Sequence, residues 1–154
     1  MHTLTYSVIP FKSLTTVGLY NILYMREQVF QIEQNSIYQD IDGMDVSAFH
    51  LLGYDETNEL VAYCRLLPPN IPFQGCYSIG RVLTIKKARG NGYGRQIMNE
   101  AIRILQEEDK KIPIMIGAQT YLQKFYESLG FVIEGESYDE DGIEHIRMLY
   151  QKQN

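Results

Sequence analysis

The chain has 154 residues and a formal net charge of -5, the size of one ordinary domain with a core of its own. No apolar run approaches the roughly 20 residues that cross a bilayer, and the acidic balance argues against a protein that coats nucleic acid, which requires accumulated Lys and Arg. The N-terminal MHTLTYSVIPF has no basic segment ahead of a long apolar stretch, so no secretory leader is expected and the cytoplasm is the expected location. Cys64 and Cys76 match neither zinc spacing nor a disulfide framework and read as buried, reduced thiols, with no metal site expected.

In chain order, LTYSVIPF alternates loosely and predicts a strand ended by Pro10 and Lys12. From Ser13, the apolar residues Leu19, Ile22, Met25, Val29 and Ile32 recur at three- and four-residue steps, which predicts a helix to about Gln34 burying that stripe. NSIYQDIDGMD has no sustained period and reads as a loop or short helical turn, a natural rim for a substrate. AFHLLGY, DETN and ELVAYCRLL form an apolar run, a polar turn and a second apolar run, a hairpin. The proline-rich PPNIPF cannot be helix and reads as an exposed crossover or bulging loop, after which CYSIGRVLTI is again strand. Tyr93, Ile97, Ala101, Ile104 and Leu105 mark an amphipathic helix to about Lys110; IPIMIGA reads as a buried strand. QTYLQKFYESLGF places Leu122, Phe125, Tyr126 and Leu129 on one helical face with Gly130 as its stop, and two strands follow around the turn dipeptide Asp141-Gly142. No repeat or linker divides the chain, so residues 1–154 are expected to form a single domain, a mixed sheet flanked by helices.

Three glycines at alternate positions, 90, 92 and 94, lie between a strand and a helix, with Arg89 and Arg95 beside them and Lys86 and Lys87 just before. Free N–H groups at the positive end of a helix dipole make an anion site, and glycines let a ligand approach the backbone. A flexible turn with solvated basic residues is the plain alternative. Two nucleotide patterns fail: no Gly-Lys pair exists for a Walker loop, and Ile97 stands where a dinucleotide fingerprint needs its third glycine.

The spacing that does fit is R-x-x-G-x-G, here Arg89, Gly92 and Gly94 after the strand GRVLTI, followed by KFYESLGF. In these two segments the chain resembles the GNAT superfamily of acyl-CoA-dependent N-acyltransferases. REQVFQIEQ, IGRV, GAQ and YDEDGIEHI extend the resemblance to its ElaA-like branch and spread it over most of the chain. The resemblance implies an α+β (mixed α/β) GNAT-like domain whose mostly antiparallel sheet of six to seven strands is parted at the centre. It implies acetyl-CoA as co-substrate, without a metal, and transfer of the acetyl group to a primary amine by direct attack in a ternary complex. The acceptor would be a small molecule or a peptide. A non-catalytic CoA- or acyl-CoA-binding regulatory module is the alternative, nucleic acid and membrane are not expected as partners, and sheet edges near the C-terminal strand leave a homodimer open.

On that resemblance, Val82, Leu83 and Thr84 would bond the pantetheine arm through the backbone, and Arg89, Gly90, Asn91, Gly92, Tyr93, Gly94 and Arg95 would cradle the diphosphate, the side chains of Asn91 and Tyr93 facing solvent. Gln119 stands where the family usually has Asn, and Leu122 where it has a small residue, so pantetheine contacts there depart from the pattern. Tyr126 matches the signature tyrosine and is the candidate general acid for the departing thiolate; a core aromatic is the plainer reading. An attacking amine must be neutral, and a lysine-like amine titrates near 10.4, so a proton acceptor is needed. Glu33 is the candidate base, against the plainer reading of a surface carboxylate, with Arg81 a candidate partner for it. His145, after the Asp141-Gly142 turn in the family-like stretch, is the other catalytic candidate, one that would orient an acceptor or relay a proton, against the safer description of an exposed strand histidine. Asp40, Asp42 and Asp45 would attract an amine by charge, although acidic turn residues are usually only solvated; His50 has no assigned role.

Overall fold

The structure, a computed structural model, describes residues 2–151. Four antiparallel strands form the first sheet: β1 (Thr5–Pro10), β2 (Phe49–Tyr54), β3 (Leu60–Leu67) and β4 (Ser78–Thr84), in the order β1-β2-β3-β4. The second sheet is built on β8 (Ile143–Tyr150), which pairs antiparallel with β5 (Ile114–Gln119), β6 (Val132–Ile133) and β7 (Tyr138–Glu140). The mixed α/β expectation holds, with eight strands among the described residues rather than six to seven. The extra pieces come from the C-terminal segment: besides the predicted hairpin around Asp141-Gly142, the short β6 also lies on β8.

The two sheets meet at one end. Tyr77 bridges to Ile114 in parallel, its N–H donating to the Pro113 carbonyl (2.9 Å) and its carbonyl accepting from Met115 (2.8 Å). Beyond that point β4 and β5 diverge, each with an edge that no strand pairs. A bulge in β4 deepens the opening: between the pairs Tyr63–Leu83 and Arg65–Gly80, Arg81 and Val82 stand opposite Cys64 alone, and Arg81 adopts φ 50°. The inserted residue reverses the alternation, so Ile79 packs in one core and Leu83 in the core on the opposite face of the sheet.

Helix α2 (Tyr93–Glu108) and the short α3 (Gln123–Ser128) cover one face and build the larger core, in which Ile97, Met98 and Ala101 are fully buried against Leu51, Cys64 and Ile116. Helix α1 (Thr16–Arg26) covers the other face of the first sheet, its Ile22 and Met25 against Leu52, Tyr63 and Leu83. Thr15 caps it, its hydroxyl accepting from the Gly18 N–H at 2.9 Å. The helix continues as a wider π-turn over Glu27–Glu33. That widening slips the phase of the predicted stripe: Val29 remains buried, Phe30 turns onto the core, and Ile32, predicted apolar-side, is 58% exposed. Cys64 and Cys76 are buried and unpaired, and no helix among the described residues is long and apolar enough to cross a membrane.

Candidate active site

A cavity of about 870 Å³ occupies the split between β4 and β5. One end is the glycine turn entering α2. Gly90 and Gly92 adopt φ 87° and 80°, and a Cβ on either would meet nothing within 4 Å, so conformation, not space, demands glycine there. Gly94 has no such backbone; a Cβ on it would only approach the Thr84 hydroxyl at 3.9 Å, so its bareness leaves room on the cavity wall. No side chain caps α2, which leaves its first-turn N–H groups free for a ligand.

The flanking arginines are partly engaged. Arg89 donates through Nε to the Thr84 carbonyl (3.0 Å) and pairs with Glu33 at 2.7 Å. Arg95 donates to the Ser128 hydroxyl (2.8 Å) and lies 5.5 Å over the Phe125 ring, tying the glycine turn to α3. Two expected solvent-facing side chains are not so: Tyr93 is buried in the core, and Asn91, half-buried, donates to the Ala88 carbonyl at 2.9 Å. Of the strand residues expected to meet a cofactor, Val82 and Thr84 are half-buried along the cavity, whereas Leu83 is buried toward α1 and has only its backbone edge to offer.

Tyr126 and His145 reach the same cavity from α3 and β8, and Gln119 sits directly across from His145 in the strand register. Burial, with Cys64 and Tyr121 nearby, pushes the Tyr126 phenol up to about 12, so it is a proton donor at neutral pH. Among the described residues nothing hydrogen-bonds its hydroxyl. His145 is 7% exposed, not the exposed strand histidine of the plainer expectation. Its Nδ1 lies 2.8 Å from the Ile143 carbonyl, an acceptor only, so Nδ1 donates; whenever the ring is neutral its lone pair is on Nε2, which stands 3.5 Å from the Glu140 carboxylate. Glu33 does not line the cavity; it holds Arg89 at the rim.

The acidic loop differs most from expectation. Asp40 and Asp45 are buried rather than solvated. Arg26, fully buried, donates Nε to Asp40 (2.9 Å) and Nη1 to Asp45 (2.7 Å); Arg65 donates to Asp42 (2.6 Å) and Asp45 (2.9 Å). Arg81 donates to Asp40 (2.8 Å), not to Glu33. Three guanidinium groups thus neutralise three carboxylates, and the loop offers no free anion to attract an amine. Burial raises the Asp42 carboxyl, but its bonds from Arg65 and the Met44 N–H prevail and leave it at about 2. His50 closes the cluster: its Nε2 donates to the Asp45 carbonyl (3.0 Å) and its Nδ1 accepts from Tyr63 (2.7 Å). Sequence spacing could not find the arginine–aspartate pairs, whose members lie 14 to 41 residues apart.

Sequence reasoning also passed over Tyr138, a cavity residue whose ring stacks on His145. Counting outward from the Asp141-Gly142 turn would have found it, since the tight hairpin pairs 140 with 143, 139 with 144 and 138 with 145. Among the described residues no group of three or more His, Cys, Asp or Glu side chains is placed to hold a metal.

Comparison with known proteins agrees with this geometry. Residues 14–152 match the model of the acetyltransferase (GNAT) domain. A UPF0039 protein of Synechocystis is 39% identical over 92% of this chain and 91% of its own, and the protein ElaA of Escherichia coli is 41% identical over 88% of each. Among solved structures, an acyl-CoA N-acyltransferase from Pseudomonas aeruginosa superposes with a TM-score of 0.88 at 37% identity, covering 96% of this chain and 99% of that one. The crystal structure of Escherichia coli ElaA superposes with a TM-score of 0.87 at 36% identity, covering 97% and 100%. With its parted sheet, glycine turn and near-full-length relatives in accord, the chain belongs to the GNAT acetyltransferase family, in its ElaA-like branch, and is an acyltransferase.

Proposed function

We propose that this protein transfers an acetyl group from acetyl-CoA to a primary amine by direct attack within a ternary complex. The diphosphate sits on the main-chain amides of Gly90–Arg95 at the uncapped start of α2, with Arg89 and Arg95 as flanking charges and Glu33 keeping Arg89 in place. The pantetheine arm pairs with the unpaired edge of β4 at Val82–Thr84, as an added strand would, and comes near Gln119 at the far wall. The bulge at Arg81–Val82 withdraws backbone from the β3 ladder, which leaves an amide to polarise the thioester carbonyl.

As the amine nitrogen bonds to the carbonyl carbon it becomes strongly acidic, and His145 Nε2 accepts its proton. Collapse of the tetrahedral adduct breaks the C–S bond, and the Tyr126 phenol gives its proton to the departing thiolate. The products are an amide and free CoA; water returns a proton to Tyr126 and removes one from His145. The Glu140 carboxylate at 3.5 Å steadies the transient imidazolium.

One observation carries this reading: an un-ionised phenol and a histidine with a fixed tautomer line the same cavity, whose other end is an uncapped, glycine-rich helix start. Titration calorimetry with CoA, followed by thiol release from acetyl-CoA with a panel of primary amines, tests it. Saturable binding and amine-dependent release are expected. Binding without release would make the protein a CoA-responsive module, and no binding would remove the reading altogether.

A further inference from the structure

We propose that Tyr138 is the positioning residue for His145, and that position 117 is glycine because the Tyr138 hydroxyl fills the place of its side chain. The proposal rests on His145 as proton acceptor. Tyr138 faces His145 across the β7–β8 hairpin, with ring centroids 5.9 Å apart and planes 30° from parallel. Arg147, two residues along β8, also lies over this ring, its guanidinium 5.8 Å from the Tyr138 centroid. The ring therefore contacts both an imidazole and a guanidinium of β8, and its hydroxyl reaches across β8 to β5, where Gly117 pairs with Arg147.

A Cβ placed on Gly117 would lie 2.6 Å from the Tyr138 hydroxyl oxygen, a separation that real contacts do not reach, while the next ring atom is 4.0 Å away. Gly117 does not have a left-handed φ, so its backbone does not require glycine. The close approach is to the hydroxyl alone, at the far end of the tyrosine, so a Cβ is admitted there only if that side chain shifts. His145 needs such support because its two polar contacts, Nδ1 to the Ile143 carbonyl at 2.8 Å and Nε2 to the Glu140 carboxylate at 3.5 Å, both act in the ring plane and neither presses on its face. A ring stacked on its face sets the plane and so the direction of the Nε2 lone pair into the cavity.

The 2.6 Å and 4.0 Å separations make the test an epistatic one. Gly117→Ala displaces the tyrosine ring; in a Tyr138→Phe background the colliding oxygen is gone and the same alanine is accommodated. Turnover is read by CoA release from acetyl-CoA with the amine panel, CoA affinity by calorimetry, and the His145 tautomer by ring-nitrogen NMR. Gly117→Ala and Tyr138→Ala should each lower kcat roughly tenfold or more with little change in CoA affinity, and each should mix the Nδ1–H tautomer with the other. The double variant Gly117→Ala/Tyr138→Phe should recover roughly tenfold over Gly117→Ala alone and regain the Nδ1–H tautomer.

Equal damage by Gly117→Ala in the tyrosine and phenylalanine backgrounds overturns the proposal. So does a Tyr138→Ala protein with unaltered kcat and spectrum while His145→Gln abolishes turnover. If His145→Gln itself leaves turnover intact, the proton-acceptor assignment fails first. The spectrum decides between the outcomes even where no amine in the panel is acetylated.

Discussion

Tyr126→Phe removes one oxygen that no hydrogen bond among the described residues holds, from a ring kept in place by Phe125 and Phe131 at 5.2 and 6.0 Å. The fold should hardly notice: at pH 7 the variant's unfolding free energy stays within about 0.5 kcal/mol of the parent's. Alkaline stability should differ. Burial moves the folded-state phenol from 10.0 to about 12, so the unfolded chain releases its proton first as pH rises. The parent therefore loses stability between pH 10 and 12, by about 3 kcal/mol from this group, and the Phe variant lacks that component. Turnover should fall about a hundredfold, equivalent to about 3 kcal/mol of barrier, since general acids commonly supply that much. CoA affinity should hardly change, because the hydroxyl meets the sulfur only as the thiolate leaves. Thiol release at saturating acetyl-CoA, calorimetry with CoA and urea melts from neutral to alkaline pH read these outcomes. A kcat within twofold of the parent's would refute the general-acid role, whatever the melts show.

Asp45→Ala leaves Arg26 and Arg65 buried without the carboxylate they share, which should cost about 3–5 kcal/mol in urea unfolding; a loss under about 1 kcal/mol would contradict the buried-network account. In the parent, the folded-state pKa of Asp42 is depressed from 3.8 to about 2, so its contribution, about 2 kcal/mol, is present above pH 4 and is lost as acid melts descend toward pH 2. Gly92→Ala should destabilise by about 1–2 kcal/mol because φ 80° is strained for alanine, whereas Gly94→Ala should leave stability intact and weaken CoA binding in calorimetry; equal behaviour of the two would refute the distinction between conformation and space. Glu33→Gln should keep kcat within about threefold while altering the KM for acetyl-CoA through the released Arg89, and a hundredfold fall in kcat would make Glu33 the base instead of His145.

Whatever depends on near neighbours along the chain is legible in the amino-acid sequence: the alternation of strands and helices, the glycine turn and the Asp141-Gly142 hairpin. Each rests on backbone preferences and periodicities spanning a few residues, and the two family signatures lie within such spans. Folding decided the rest. The apolar period did not reveal the π-turn after α1, across which the stripe loses its phase and Ile32 faces solvent, because a residue period assumes one constant turn. Nor could three aspartates in a polar loop disclose that Arg26, Arg65 and Arg81, from a helix and two strands, would close over them and cancel their charge. The same holds for the two candidate bases. Glu33 led on the sequence as the base and His145 stood behind it as an acceptor-orienting or proton-relaying residue. In the fold Glu33 holds Arg89 from outside the cavity while His145 lines it, bonded to the Ile143 carbonyl and stacked on Tyr138, since a side chain's direction is a property of its surroundings rather than of its place in the chain.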